Sequence, residues 1–433
     1  MRQSFNAIEI VFILAWLLHF GTPEVFAGGF AIAEQTATGT GMANAITAGV
    51  EDPSAVYVNP AALSEVDGNQ MMGGFNYINT VSSVKNGGRK VINLHDDDFL
   101  PNLFVNYHAR GTDFTVGLGS YTPFGLATSY KENSFTRFAA VRTELRTLYI
   151  TPAIAWRPSP YFSVGGGISF VHSSALFSRA IFLGAVGVGE GKLRVTDTDN
   201  AYGYNIGVLI KPHEKVKFGV TYRSRVALNY DDAHVKFRDA SLAGGIVTNA
   251  SASGINIPIP PVINAGIAWQ ISPSWAVEFD YNFTRWSELN HLKASFSPSL
   301  PALGGAVPIG GIFLNQDWKD TSTLRFGTAY KVNNYLELRT GFSLDETPIP
   351  AHTLNPAIPG ADILTLTGGL GYNWKNLNID LAYMAVFYKN RKVFNTALET
   401  GNNAAALPFP GAPGPDKYDI FQNFVSLHLR YRF

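Results

Sequence analysis

Cysteine is absent from the 433 residues, which removes thiol chemistry, disulfides and thiolate metal sites together. Charge is also scarce: Asp, Glu, Lys and Arg make up 15% of the chain, against roughly 25% in soluble domains. The two signs balance, 33 against 33, so the sequence offers no basic excess for nucleic acid. Long apolar runs are missing beyond the extreme N-terminus, and no later segment approaches the roughly 20 residues of a membrane-spanning helix. A chain that is 46% apolar and 13% aromatic, yet has no such run, excludes a helical membrane bundle and favours a β-barrel, a fold that reaches this length as one unit.

The N-terminus supplies an address. Arg2 gives a positive start, residues 10–20 (IVFILAWLLHF) form an apolar run of signal length, and Val25-Phe26-Ala27 precedes Gly28 with a small residue at the cleavage position. Residues 1–27 therefore read as a secretion signal, and its removal leaves 32 basic and 31 acidic residues.

From about residue 70 the period of the chain is two. In NLNIDLAYMAVFY, Leu377, Ile379, Leu381, Tyr383, Ala385 and Phe387 share one face, and Asn378, Asp380 and Ala382 the other. Trp275, Val277, Phe279, Tyr281 and Phe283 alternate in the same way with Glu278, Asp280 and Asn282, as do Phe218, Val220 and Tyr222 with Lys217, Thr221 and Arg223. One face suits lipid and the other a polar interior, although a soluble sandwich or lipocalin-like barrel also alternates. Connection lengths separate the two. Tight turns near residues 158–160, 211–214, 272–274, 333–334 and 375–376 alternate with excursions near 183–199, 231–252, 286–316, 345–361 and 389–418, as in an up-and-down outer-membrane barrel with short periplasmic turns and long external loops. The fold class is thus all-β, an antiparallel transmembrane barrel of about fourteen strands over residues 70–433. Phe433, on the apolar face of the last strand with Val425, Leu427, Leu429 and Tyr431, is a familiar outer-membrane ending.

No pattern for catalysis, a metal or a cofactor is present. HExxH is absent and the nine histidines are scattered. The glycine clusters at 39–41 and 187–191 lack a strand-turn-helix setting, and Asp96-Asp97-Asp98 reads as a solvated turn.

Residues 28–69 do not alternate. GGFAIAEQTATGTGMANA and EDPSAVYVNPAAL resemble the N-terminal plug of the FadL-type outer-membrane transporters of long-chain fatty acids and other hydrophobic compounds, and Asn59-Pro60-Ala61 stands where that family has its NPA motif. YTPFGLATSY (121–130), ELRTLYITPAIAWR (144–157), TYRSRV (221–226), WKDTSTLRFGTAY (318–330), DETPIPAHTLNPAIPGAD (345–362) and the final LRYRF are similar to its segments in the same order. The resemblance implies a hatch, residues 28–69, folded into the lumen and pinned through Asn59, Pro60 and Ala61. It implies import without an energy source or enzymatic activity, and lateral exit beside an inward kink within residues 100–119. Partners on this reading are a hydrophobic ligand, outer-membrane lipid and the barrel-assembly machinery, for a monomer. Arg179 and Lys319 align with basic binding-site residues, and Phe177, Phe182 and Trp318 are the implied apolar lining. Long-chain fatty acid is the expected cargo; an aromatic or alkane hydrocarbon importer, or a structural and adhesive barrel, is the alternative.

Overall fold

The computed structural model describes residues 29–95, 97–182, 190–239, 247–300, 309–393 and 416–433. The leader at 1–27 lies outside the described residues, as do Gly28, Asp96 and residues 187–189.

Fourteen strands among the described residues form the wall. They are β1 Gln70–Asn86, β2 Asp97–His108, β3 Phe114–Tyr121, β4 Arg142–Ser159, β5 Phe162–Phe182, β6 Glu190–His213 and β7 Val216–Arg223, then β8 Val262–Ser272, β9 Trp275–Thr284, β10 Thr321–Lys331, β11 Leu336–Asp345, β12 Ile363–Trp374, β13 Leu377–Tyr388 and β14 Asp416–Arg432. Each pairs antiparallel with its neighbours in chain order, and β1 closes the ring on β14 from Gln70↔Arg432 to Lys85↔Lys417. Closure leaves neither β1 nor β14 as a free edge strand for lipid to meet.

The alternation of the sequence becomes an outside and an inside. Leu381, Tyr383 and Phe387 are exposed, while Asn378, Asp380 and Ala382 are buried; Phe279 and Tyr281 are exposed, while Glu278 and Asp280 are buried. An apolar outer surface around an enclosed polar one distinguishes a membrane barrel from a soluble sandwich. Phe433 ends the chain 64% exposed, its N–H bonded to the Asn69 carbonyl.

At the long-loop end the structure departs from the sequence reading. Residues 190–199 continue β6, and strands Ala233–Asp239, Val247–Ser253, His291–Leu300 and Ile309–Asn315 extend the sheet beyond the wall, each paired with the one before. Above the membrane the outside is water, so alternation inverts. Leu193, Val195, Val235, Phe237 and Phe296 turn inward to a second apolar cluster, and the outward positions are polar, a pattern that reads as loop beside the apolar belt.

Residues 29–69 fill the lumen. Thr36 caps α1 (Ala37–Gly41), its Oγ1 accepting from Gly39 N–H at 3.0 Å; α2 (Ala55–Val58) and a 3-10 turn (Pro60–Glu65) follow. Isolated helices of four and five residues would not form in water. Side chains of the wall hold them by taking up hatch backbone groups. Asp280 Oδ2 accepts from the N–H groups of Ile46 (3.0 Å) and Thr47 (2.9 Å), and Glu278 Oε1 from those of Ala48 (2.6 Å) and Gly49 (3.2 Å). His428 Nδ1 accepts from Ala37 N–H, and Asn205 donates to the Val56 carbonyl.

Asn59-Pro60-Ala61 sits against the wall where it lacks side chains. A Cβ on Gly207 would stand 2.1 Å from Asn59 Oδ1, and one on Gly165 2.5 Å from the Pro60 carbonyl carbon. Asn59 is fully buried: its Nδ2 donates to the carbonyls of Thr47 (3.0 Å) and Val208 on β6 (3.4 Å), and its Oδ1 accepts from Ala61 N–H (3.2 Å). The triplet is at once a local cap and an attachment to the wall. Asn59→Ala leaves the Thr47 carbonyl without this donor and should weaken the attachment by about 1–3 kcal/mol. Faster amide exchange over residues 46–66, with the heat-dependent gel shift of an assembled barrel retained, is the expected result.

Candidate functional site

Above the hatch lies an apolar cavity bounded by Phe30 of the hatch, Leu145 of β4, Ala175 and Phe177 of β5, Val195 of β6 and the outer ribbons around Tyr230 and Ile257. Four lining residues carry charge, Glu144, Arg179, Asp197 and Lys293, and of these Arg179 is the one that is buried, 7% exposed. Its guanidinium carbon stands 5.9 Å from the Phe177 ring centre. Arg179 Nε is buried with no hydrogen-bond partner, and no ion pair joins Arg179 to another described residue. An unpaired cation in apolar surroundings is costly until an anion meets it.

The residues singled out in the sequence do not all meet here. Arg179 lies inside β5, on its inward face, and Phe177 is two positions below it. Phe182 ends β5, and its side chain lies outside the described part. Lys319 is exposed and absent from the lining, its backbone N–H bonded to the Pro348 carbonyl. Trp318 is buried in an aromatic group under the cavity. Its ring centre is 5.1 Å from that of Trp286 and 5.7 Å from that of Phe30, while Phe124 closes the group 6.1 Å from Phe30. Glu144, Asp197 and Lys293 were not anticipated, because the register that brings them near the cavity joins strands far apart in sequence.

Phe30 of the aromatic group lines the cavity, while Phe124 lines a polar chamber that Glu34, Arg325, Asp345 and Arg223 also border. Burial pushes the Glu34 carboxyl up to about 7, against the opposing effects of its backbone hydrogen bond and Arg325; Asn44 Nδ2 donates to it at 2.8 Å. At the base of the hatch the balance is reversed. Burial would raise Glu65, but a hydrogen bond from Lys211 and the charges of Lys217 and Arg157 hold its carboxyl below the ordinary value of 4.5.

The wall is interrupted beside the hatch. β2 pairs with β3 only from Leu103↔Ser120 to His108↔Thr115, so residues 97–102 have a partner in β1 and none in β3. After Tyr121 the chain bends inward. Pro123 carbonyl accepts from Ile32 N–H (2.8 Å), Thr122 N–H donates to Gln35 Oε1 (3.1 Å), and Ala31 and Phe124 form a bridge. Gly125–Ser129 then rejoins β4, and a hydrogen bond from Leu94 N–H to the Ser129 carbonyl (2.6 Å) closes the gap above. Residues 100–106, at the start of the stretch expected to kink, run unbroken along β1; the departure comes after residue 121, where Pro123 has no N–H to leave unpaired. Ile32 and Leu100 pack with Ile78, Met384 and Phe424 in an apolar group on this side of the lumen.

A closed outer-membrane barrel with a folded hatch, an apolar cavity above it and a break in its wall defines a transporter of hydrophobic compounds. The comparison with known proteins agrees: the family described as "Outer membrane protein transport protein (OMPP1/FadL/TodX)" matches residues 18–432, and the chain belongs to it. Outer membrane protein P1 of Haemophilus influenzae is 23% identical, over 94% of this chain and 95% of its own. A long-chain fatty acid transport protein of Escherichia coli is 24% identical, over 89% and 92%. In fold the chain is similar to the crystal structure of a Pseudomonas aeruginosa FadL homologue, with a TM-score of 0.79 at 20% identity over 94% of this chain and 100% of the other. The P. putida toluene transporter TodX gives 0.71 at 18%, over 95% and 99%. The chain is thus an outer-membrane protein whose family and structural neighbours are transporters or channels rather than enzymes.

The two hatch carboxylates respond to pH in opposite senses. The raised Glu34 contributes fully below 4.5 and loses that contribution as pH rises through about 7; the depressed Glu65 contributes fully above 4.5 and loses it only as pH falls through its lowered value. Amide exchange over residues 31–46 should therefore rise between about pH 5 and pH 8, after correction for intrinsic rates, while that over 59–66 stays level. Glu34→Gln should flatten the first response.

Proposed function

We propose that the protein imports long-chain fatty acids passively, with Arg179 receiving the carboxylate at the upper end of the apolar cavity. The observation that carries this reading is the buried guanidinium, its Nε without a partner, in a cavity lined mainly by hydrocarbon side chains. A guanidinium offers two parallel donors to a carboxylate, while Phe177 and Leu145 surround the chain. Lys319, exposed beside Trp318, attracts the anion on its way in, and Trp318 completes the apolar surroundings. Asn59, Pro60 and Ala61 hold the hatch so that it yields to ligand and not to water; unchanged uptake by an assembled Asn59→Ala barrel would remove them from gating.

Exit is lateral on this reading. Ligand passes from the cavity alongside Leu126 and Leu100 to the gap between β2 and the segment 122–128, and so enters the membrane without crossing the hatch. Leu100→Trp and Leu126→Trp narrow that route and should each slow uptake severalfold; normal uptake by both would favour an axial path.

Arg179→Leu decides the cargo. Fatty-acid binding should weaken by about 1.5–3 kcal/mol, roughly 10- to 150-fold, while the affinity for a neutral hydrocarbon of similar length stays near that of the native protein. Equal loss for both ligands would assign Arg179 to the shape of the cavity and make hydrocarbons the better reading.

A further inference from the structure

On the outside of the barrel, above the lipid-facing belt, cations stand opposite cations. Arg194 of β6 is the direct cross-strand partner of Lys236, and Lys192 that of Arg238. Arg142 of β4 continues the first row through Ser178 of β5. The face is settled by parity. Even-numbered residues of β6 look outward, with Tyr202 72%, Tyr204 49% and Ile206 52% exposed, while Leu193 and Val195 are buried inward. β5 and β6 pair without a bulge from Phe162↔Ile210 to Phe182↔Glu190, so Lys192 and Arg194 share the side of Tyr202.

Like charges directly opposite on one sheet face are destabilising. Acidic neighbours offset only part of this excess: Glu132 pairs with Lys192, Glu144 with Arg142 and, at 3.7 Å, with Arg146. Arg194, Lys236 and Arg238 are exposed and make no ion pair with any described residue. Nothing among the described residues accounts for two successive like-charged pairs; a polyanion lying on them would.

A second feature lies below on the same three strands. Gly166 of β5 is flanked in register by Ile154 of β4 and Ile206 of β6, and the missing side chain opens a notch on the lipid side that Pro152, Ile168 and Tyr204 help to line. Gly166 is four residues below Phe170, the last outward aromatic of β5 among its described side chains. That is about 13 Å along a tilted strand and about 10 Å of depth, within the outer half of an apolar band roughly 25 Å tall.

We propose that this face is a binding site for an anionic glycolipid of the outer leaflet. Its phosphate groups lie over Arg142, Lys192, Arg194, Lys236 and Arg238, and one acyl chain fills the notch at Gly166. Basic clusters beside an apolar belt are the general means of gripping charged lipid headgroups. Continuity decides for a lipid rather than a soluble anion: the cationic rows and the apolar notch share β4, β5 and β6.

The test uses the full-length mature protein in detergent, with bis-phosphorylated lipid A, its dephosphorylated form of the same acyl composition, and inorganic phosphate, all followed by native mass spectrometry. The native protein should retain the phosphorylated lipid roughly tenfold or more over the dephosphorylated one, as expected where each cation contributes about 1 kcal/mol. The triple variant Arg194→Ser, Lys236→Ser, Arg238→Ser should lose that preference. Because it removes repulsion from an exposed face, its thermal transition should not fall, which separates lost binding from lost folding. Gly166→Leu should weaken both lipids severalfold. No preference in the native protein, or a preference retained by the triple variant, overturns the proposal. Displacement of the lipid by millimolar phosphate would reduce the face to a simple anion site, and full binding of both lipids by Gly166→Leu would overturn the acyl placement.

Discussion

Everything in this molecule depends on the pairing of β1 with β14. In hydrocarbon an unpaired backbone N–H or C=O costs several kcal/mol, so a β-sheet can sit in a membrane only as a closed ring. The ladder from Gln70↔Arg432 to Lys85↔Lys417 joins the first strand of the wall to the last and sets the number of strands between them. A ring of fourteen strands is too wide for its own inward side chains to fill, as they do in barrels of about eight. The hatch is the consequence of closure.

Filling the lumen creates the reverse problem, since the hatch brings its own backbone polar groups into an enclosed space. The wall answers with acceptors and donors on its inward face. Asp280 and Glu278 take four successive hatch N–H groups from Ile46 to Gly49, and Asn205 and Arg223 donate to the carbonyls of Val56 and Tyr57. Charged residues inside a membrane protein are thereby explained as partners for a short, poorly helical segment. Inward glycines complete the fit: Gly165 lets the backbone of Pro60 and Ala61 approach, and Gly207 makes room for the Asn59 side chain.

The same rule governs the gap. Between Tyr121 and Gly125 the chain forgoes its place beside β2, and the hatch supplies the lost hydrogen bonds through Ala31, Ile32 and Gln35. An opening in the wall is affordable only where hatch and wall meet, and that places it beside the aromatic group of Phe30, Phe124, Trp286 and Trp318 that floors the cavity.

Much of this was readable in the chain. Alternation at Leu377–Tyr388 and Trp275–Thr284, the order of short and long connections and the terminal Phe433 define an outer-membrane barrel, because lipid on one side and a polar lumen on the other impose period two on every crossing strand. The outer strands at 233–239 and 291–300 were hidden, since water outside the membrane reverses which face is apolar. Arg179 and Phe177 stood out by resemblance, yet only the register of β4, β5 and β6 brings them to one cavity with Leu145 and Val195 and leaves Lys319 outside it. Local pattern thus determined which faces of the strands meet lipid, a property each residue carries by itself. The site, the gap and the opposed cations of Arg194 and Lys236 belong to the tertiary structure, because each depends on which distant strand lies 4.8 Å or so away.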